Sequence, residues 1–151
     1  MSKARLHTAS EVISFARRLE NESAGLYQEL SQRYPADGEV FLAYARENGK
    51  NVVQFERAYY GVISDAIEGA FAFDIDPDEY TFETAQTGDT NFADILAKAI
   101  EMEEKIVKFY SDAAEQSKSL LADVPRVFVI IARKRNNRGT KLMSLLGKGD
   151  E

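Results

Sequence analysis

Two carboxylates, each followed seven residues later by a phenol, are the residues of this chain best placed to do chemistry. Glu20 precedes Tyr27, and Glu103 precedes Tyr110. Seven residues is nearly two turns of α-helix, so each Glu and its Tyr fall along one face. The contexts repeat too, since Leu19-Glu20 and Met102-Glu103 stand 83 residues apart. A second pattern repeats at an offset of 87, where Phe41, Ala45, Arg46, Asn48 and Asn51 align with Phe128, Ala132, Arg133, Arg135 and Arg138. The polar pairs that end the two copies differ in kind. Amides are weak neutral ligands, whereas a guanidinium stays protonated in a protein and repels a metal ion. Glu20, Asn48, Asn51, Glu103, Arg135 and Arg138 are therefore candidates for one polar centre. Its two negative and two positive charges cancel without a metal.

Composition removes other chemistry. The chain has no cysteine, hence no disulfide, thiolate nucleophile or Cys-type zinc or iron–sulfur site. Its one histidine, His7, stands before the first helix and reads as solvent-exposed. That count excludes His-rich metal sites and most His-based acid–base catalysis. A net charge of −6 argues against nucleic-acid binding. Within this acidic whole, the basic run from Arg133 to Arg138 is a poor nucleic-acid or phosphate patch. No apolar run approaches about 18 residues, and no charged-then-apolar leader opens the chain, so no membrane span and a cytoplasmic location are expected. At 151 residues, residues 1–151 form one domain large enough to bury a core.

Four helices are expected to position the candidate residues. Thr8-Ala9-Ser10-Glu11 is a capping-box pattern. Val12, Phe15, Leu19, Ser23, Leu26 and Leu30 then recur at helical spacing to about Arg33. A short turn follows at Tyr34-Pro35-Ala36-Asp37-Gly38, where Pro opposes helix before it and Gly is permissive. Val40, Phe41, Tyr44, Ala45, Val52, Phe55 and Tyr59 trace a second helix to roughly Ser64. The third spans about Phe92 to Gln116 on Ile95, Ala99, Met102, Ile106, Phe109 and Ala113. The fourth starts near Asp123, a candidate N-cap with Pro125 in the tolerant first turn. It runs to about Leu146, and Gly147-Lys148-Gly149 ends it. Phe128, Ile131, Arg135, Arg138 and Leu142 share one stripe of it, against the simpler reading of the arginines as a solvated run.

Short connections at both ends and a long one from Asp65 to Asn91 describe an all-α, antiparallel four-helix bundle with a crossover between helices two and three. The crossover is acidic and aromatic. Phe71, Phe73, Tyr80 and Phe82 imply that it packs on something, and any exposed among them are candidate contacts for a second subunit. Asp74, Asp76, Asp78 and Glu79 could hold a hard divalent ion loosely. Tyr27 and Tyr110 read as core aromatics with tethered hydroxyls rather than as redox participants.

The two repeated motifs together resemble the rubrerythrin-type branch of the ferritin-like superfamily over nearly the whole chain. In that family helices one and three each supply a Glu seven residues before a Phe-Tyr-like pair, and Glu20 and Glu103 fall on those two positions. Helices two and four each supply a Glu-x-x-His to a di-iron site. Here those positions read Asn48-x-x-Asn51 and Arg135-x-x-Arg138, and the four-Cys rubredoxin-like domain is absent. The resemblance implies a ferritin-like bundle with a degenerate metal site. Two readings of function follow. One is a non-catalytic structural or interaction protein, a homodimer on the simplest expectation, with no cofactor. The other is a rubrerythrin-like oxidoreductase keeping iron or another divalent metal at Glu20 and Glu103. An anionic ligand on Arg135 and Arg138, in place of the two glutamates, is a further open alternative.

Overall fold

The computed structural model describes residues 5–62, 71–84, 91–118 and 123–149. It is helical and bundle-like. Helix α1 spans Ala9–Arg33, α2 spans Gly38–Val62, α3 spans Phe92–Ser117 and α4 spans Asp123–Gly149. Each helix packs most heavily on its chain neighbour, giving two hairpins, α1 on α2 and α3 on α4. The hairpins meet along α2–α4 and along α1–α3. None of the described helices is long and apolar enough to cross a membrane.

Local chemistry fixes the helix ends. Thr8 accepts from the Glu11 amide, and Glu11 accepts from the Thr8 amide, which completes the capping box. Asn91 caps α3 by accepting from the Asp94 amide at 2.8 Å. Asp123, expected just before α4, is its first residue. Helix α4 runs through Gly147 to Gly149 rather than stopping near Leu146, because helical glycines lower propensity without breaking the hydrogen-bond ladder. The expected end of α2 near Ser64 lies outside the described residues. The turn between α1 and α2 is a 3-10 helix over Pro35–Asp37. Gly38 is needed there for closeness rather than for freedom. Its backbone is ordinary right-handed helix, but a Cβ would lie 3.1 Å from the Ser31 carbonyl oxygen.

A short ribbon departs from the purely helical expectation. Strand β1, Leu6–Thr8, pairs antiparallel with β2, Phe71–Ile75, with Leu6 opposite Ile75 and an irregular register before Thr8. His7 is therefore half-buried rather than simply exposed. Its Nδ1–H donates to the Phe73 carbonyl at 3.2 Å, since a carbonyl can only accept. From α3, the Gln116 amide accepts from the Asp74 N–H at 2.7 Å and donates to the Asp74 carbonyl at 3.3 Å.

The described crossover does pack, but on its own chain. Phe73, Ile75 and Tyr80 are core residues, and Phe82 is half-buried against them. Tyr80 meets the edges of Phe15 and Phe109, and its hydroxyl donates to Asp112 at 2.6 Å. Phe73 and Tyr80 are thus not available as contacts for a second subunit; the side chain of Phe71 lies outside the described residues. The acidic cluster is likewise committed internally. Asp74 and Asp76 both face Arg5, and Asp76 caps the 3-10 turn Pro77–Tyr80 by accepting from the Asp78 amide. Among the described residues no group of three or more His, Asp or Glu side chains gathers as a metal ion would require.

Candidate functional site

The apolar stripes that hold the four helices together carry six polar side chains into the interior. Glu20 arrives from α1, Asn48 and Asn51 from α2, Glu103 from α3, and Arg135 and Arg138 from α4. All six are buried, none more than 2 % exposed. The arginine stripe behaves as its phase dictates. Phe128, Ile131 and Leu142 are buried with the two arginines, while Arg133 in the same basic run faces solvent.

Arg135 is the hub, with all three of its nitrogens engaged. Its Nε donates to Glu20 Oε2 at 3.0 Å, and Nη2 reaches the same oxygen at 2.7 Å. Nη1 donates to Glu103 Oε1 and Oε2 at 2.7 and 2.9 Å. Remaining contacts run from Nη1 to Ser23 Oγ at 3.3 Å and from Nη2 to Asn48 Oδ1 at 3.0 Å. Such a planar fork between two carboxylates is geometry that a lysine could not reproduce. Burial by itself opposes the charge on Arg135, but Glu103 and Glu20 outweigh it and hold the guanidinium protonated above its usual range.

The two phenols cross over. Tyr27 of α1 donates to Glu103 Oε2 on α3, and Tyr110 of α3 donates to Glu20 Oε2 on α1 at 2.9 Å. Each carboxylate thus receives a hydroxyl from the other's helix, as the internal repeat leads one to expect. Burial pushes both phenols well above their usual range. Glu103 beside Tyr27 and Glu20 beside Tyr110 add to the effect, and the arginines offset part of it.

The remaining members are less symmetric. Asn48 accepts from both arginines and donates to Ser23 Oγ at 3.1 Å. Asn51 donates to Glu20 Oε1 at 2.9 Å, and its own carbonyl oxygen is buried without a partner. Arg138 donates to Asn48 at 2.8 Å, to Glu47 at 2.9 Å and to Glu103 at 3.5 Å. Its guanidinium also lies over the rings of Tyr44 and Tyr27, 4.7 and 5.3 Å from their centroids. Aromatic contacts flank the network, with Tyr27, Phe41 and Tyr44 in one group and Phe55, Tyr110 and Phe128 in the other.

Sequence reasoning missed three participants. Ser23 was legible, because it is a polar residue recurring in step with Val12, Phe15, Leu19, Leu26 and Leu30 and lies about one turn beyond Glu20. Tyr44 had the right phase for the core but gave no sign of stacking on an arginine. Glu47 lies off the buried stripe and reaches Arg138 from a half-exposed position, so periodicity could not find it.

The donor set does not fit two metal ions. The centre holds two carboxylates and no imidazole, and both carboxylates already accept from Arg135, which cannot release a proton to make room. Compared with protein-family models, with curated proteins and with solved structures, the chain matches none.

Proposed function

We propose that this protein is a ferritin-like four-helix bundle, related to the rubrerythrin type, in which a Glu–Arg–Asn network stands where a di-iron site would be, and that it serves as a non-catalytic structural or interaction protein. The observation that carries the reading is the seat of Arg135, fully buried and bonded to both carboxylates. A cation taken up between Glu20 and Glu103 would have to displace that guanidinium, which disfavours an oxidoreductase with a reduced metal site. The charges of Glu20, Glu103, Arg135 and Arg138 cancel, and Glu47 adds one carboxylate on the half-exposed side. A buried ion pair is weak evidence for stability, since desolvation offsets attraction. Its contribution here is to specify one packing of four helices. The homodimer belongs to the same proposal, and the exposed Val53 and Tyr60 of α2 and Val129 of α4 are where its contact would be sought.

Restoring the ligands tests the relationship. Asn48→Glu, Asn51→His, Arg135→Glu and Arg138→His together rebuild both Glu-x-x-His pairs opposite Glu20 and Glu103. The folded quadruple variant is expected to take up about two irons per chain, the stoichiometry of such bundle sites. A variant that keeps its helical circular dichroism yet takes up no iron overturns the ferritin-like reading.

A further inference from the structure

One flank of the buried network borders a cavity of about 180 Å³ between α2 and α4. Tyr44, Glu47, Lys134, Asn137, Arg138 and Lys141 line it. Two of these residues carry polar atoms that are buried without a hydrogen-bond partner, the Arg138 Nε–H and the Tyr44 hydroxyl. Donors left in that state are uncommon in folded proteins and call for an explanation. Every other nitrogen of the two buried guanidiniums is bonded, and the further unpartnered atom among the described residues, Asn51 Oδ1, is an acceptor rather than a donor.

The charge around the cavity has a sign. Lys134, Arg138 and Lys141 step by four and three along α4 and share one face. Glu47 is the one carboxylate among the lining residues; with Arg138 already balanced by the buried glutamates, Lys134 and Lys141 leave an excess of one positive charge. Lys134 makes only a long contact to Gln54, at 3.4 Å, and Lys141 is exposed, so both can turn toward a ligand. The volume is well below the roughly 300–1,000 Å³ of pockets for drug-sized molecules, but it suits a compact anion.

We propose that this cavity binds a small dianionic oxyanion of the phosphate class, clamped by Arg138, Lys134 and Lys141 and receiving a hydrogen bond from the Tyr44 hydroxyl. Glu47, 2.9 Å from Arg138 and half-exposed, competes with that ligand for the guanidinium. Binding there leaves Arg135 with its two glutamates, so the inference stands or falls apart from the ferritin-like reading.

The test is isothermal titration of the full chain with inorganic phosphate at fixed ionic strength, with acetate as a second arm. Phosphate is expected to bind saturably at one site per chain, and acetate more weakly. Lys134→Gln with Lys141→Gln, both on the outside of α4, should weaken phosphate binding by about tenfold or more, as loss of two charge-assisted contacts implies. Tyr44→Phe removes a hydroxyl that bonds nothing, so the unliganded protein should melt no lower while phosphate affinity falls. Glu47→Gln should raise affinity. The proposal is overturned if phosphate shows no saturable binding, or if the lysine double variant and Tyr44→Phe both bind it like the parent. Acetate binding as tightly as phosphate would overturn the assignment to a dianion.

Discussion

Replacing Glu103 with Gln keeps the shape of the side chain and removes one of the two charges that balance Arg135. In the folded protein Glu103 accepts from Arg135 at 2.7 and 2.9 Å, from Arg138 at 3.5 Å and from the Tyr27 hydroxyl. The variant leaves Arg135 with Glu20 as its one remaining carboxylate and Arg138 with the half-exposed Glu47, and a Gln amide would point a donor at donors. Breaking one partner of a buried pair typically costs about 3–5 kcal/mol, whereas an exposed pair is worth about 0–1 kcal/mol. At roughly 2–4 °C per kcal/mol for a chain of this size, Glu103→Gln should melt about 6–20 °C lower. Glu22→Gln, which breaks the exposed pair with Arg18, should move the midpoint by no more than a few degrees. Adding Arg135→Met to Glu103→Gln removes both charges together, so the double variant should regain part of the loss. Urea and thermal unfolding followed by circular dichroism read all four proteins. A loss below about 1 kcal/mol in the single variant, or no recovery in the double, would refute the reasoning, because the charges would then be behaving as solvated ones.

Other consequences follow from the same network. Tyr27 and Tyr110 are held neutral above their usual range, so their contribution is complete below about pH 10, where unfolded tyrosines are also protonated. As pH rises further the unfolded chain ionises first, and stability should fall by about 1.4 kcal/mol per pH unit for each such tyrosine. Tyr110→Phe should flatten that alkaline decline relative to the parent, and an unchanged slope would contradict its burial. Ser23→Ala withdraws an acceptor used by Asn48 and Arg135 and should cost about 1–3 kcal/mol in urea unfolding. Gly38→Ala presses a Cβ against the Ser31 carbonyl and should destabilise by about 1–3 kcal/mol. Gly25→Ala, with open space around it in an exposed turn of α1, should instead stabilise by about 0.5–1 kcal/mol.

The helices were legible because the apolar stripes of Val12 to Leu30 and Ile95 to Ala113 are long and regular, and because Thr8 and Glu11 cap in a way a short motif reveals. The centre was legible for a related reason. Glu20, Glu103, Arg135 and Arg138 occupy stripe positions that would otherwise be apolar, and two repeated patterns told of it twice. The ribbon was not legible. Three residues, Leu6–Thr8, are too few for a period of two to show, and the strand exists only because β2 arrives from a distant segment. That same long-range pairing turned His7 from an exposed residue into a half-buried one. The crossover aromatics announced burial but not its address, since composition cannot say whether Phe73 and Tyr80 cover their own chain or another. Glu47 escaped because a long side chain can reach a buried partner from an off-phase position.

The central claim is that guanidinium groups, and not metal ions, balance the buried carboxylates. Metal content of the protein purified from iron-supplemented cells tests it most directly, read by elemental analysis together with the near-ultraviolet and visible spectrum. The account predicts a folded protein with far less than one iron per chain and no absorption that bleaches on reduction. About two irons per chain, with an oxo-bridge band lost on reduction, would contradict it, because Glu20 and Glu103 could not hold those ions while Arg135 keeps its place.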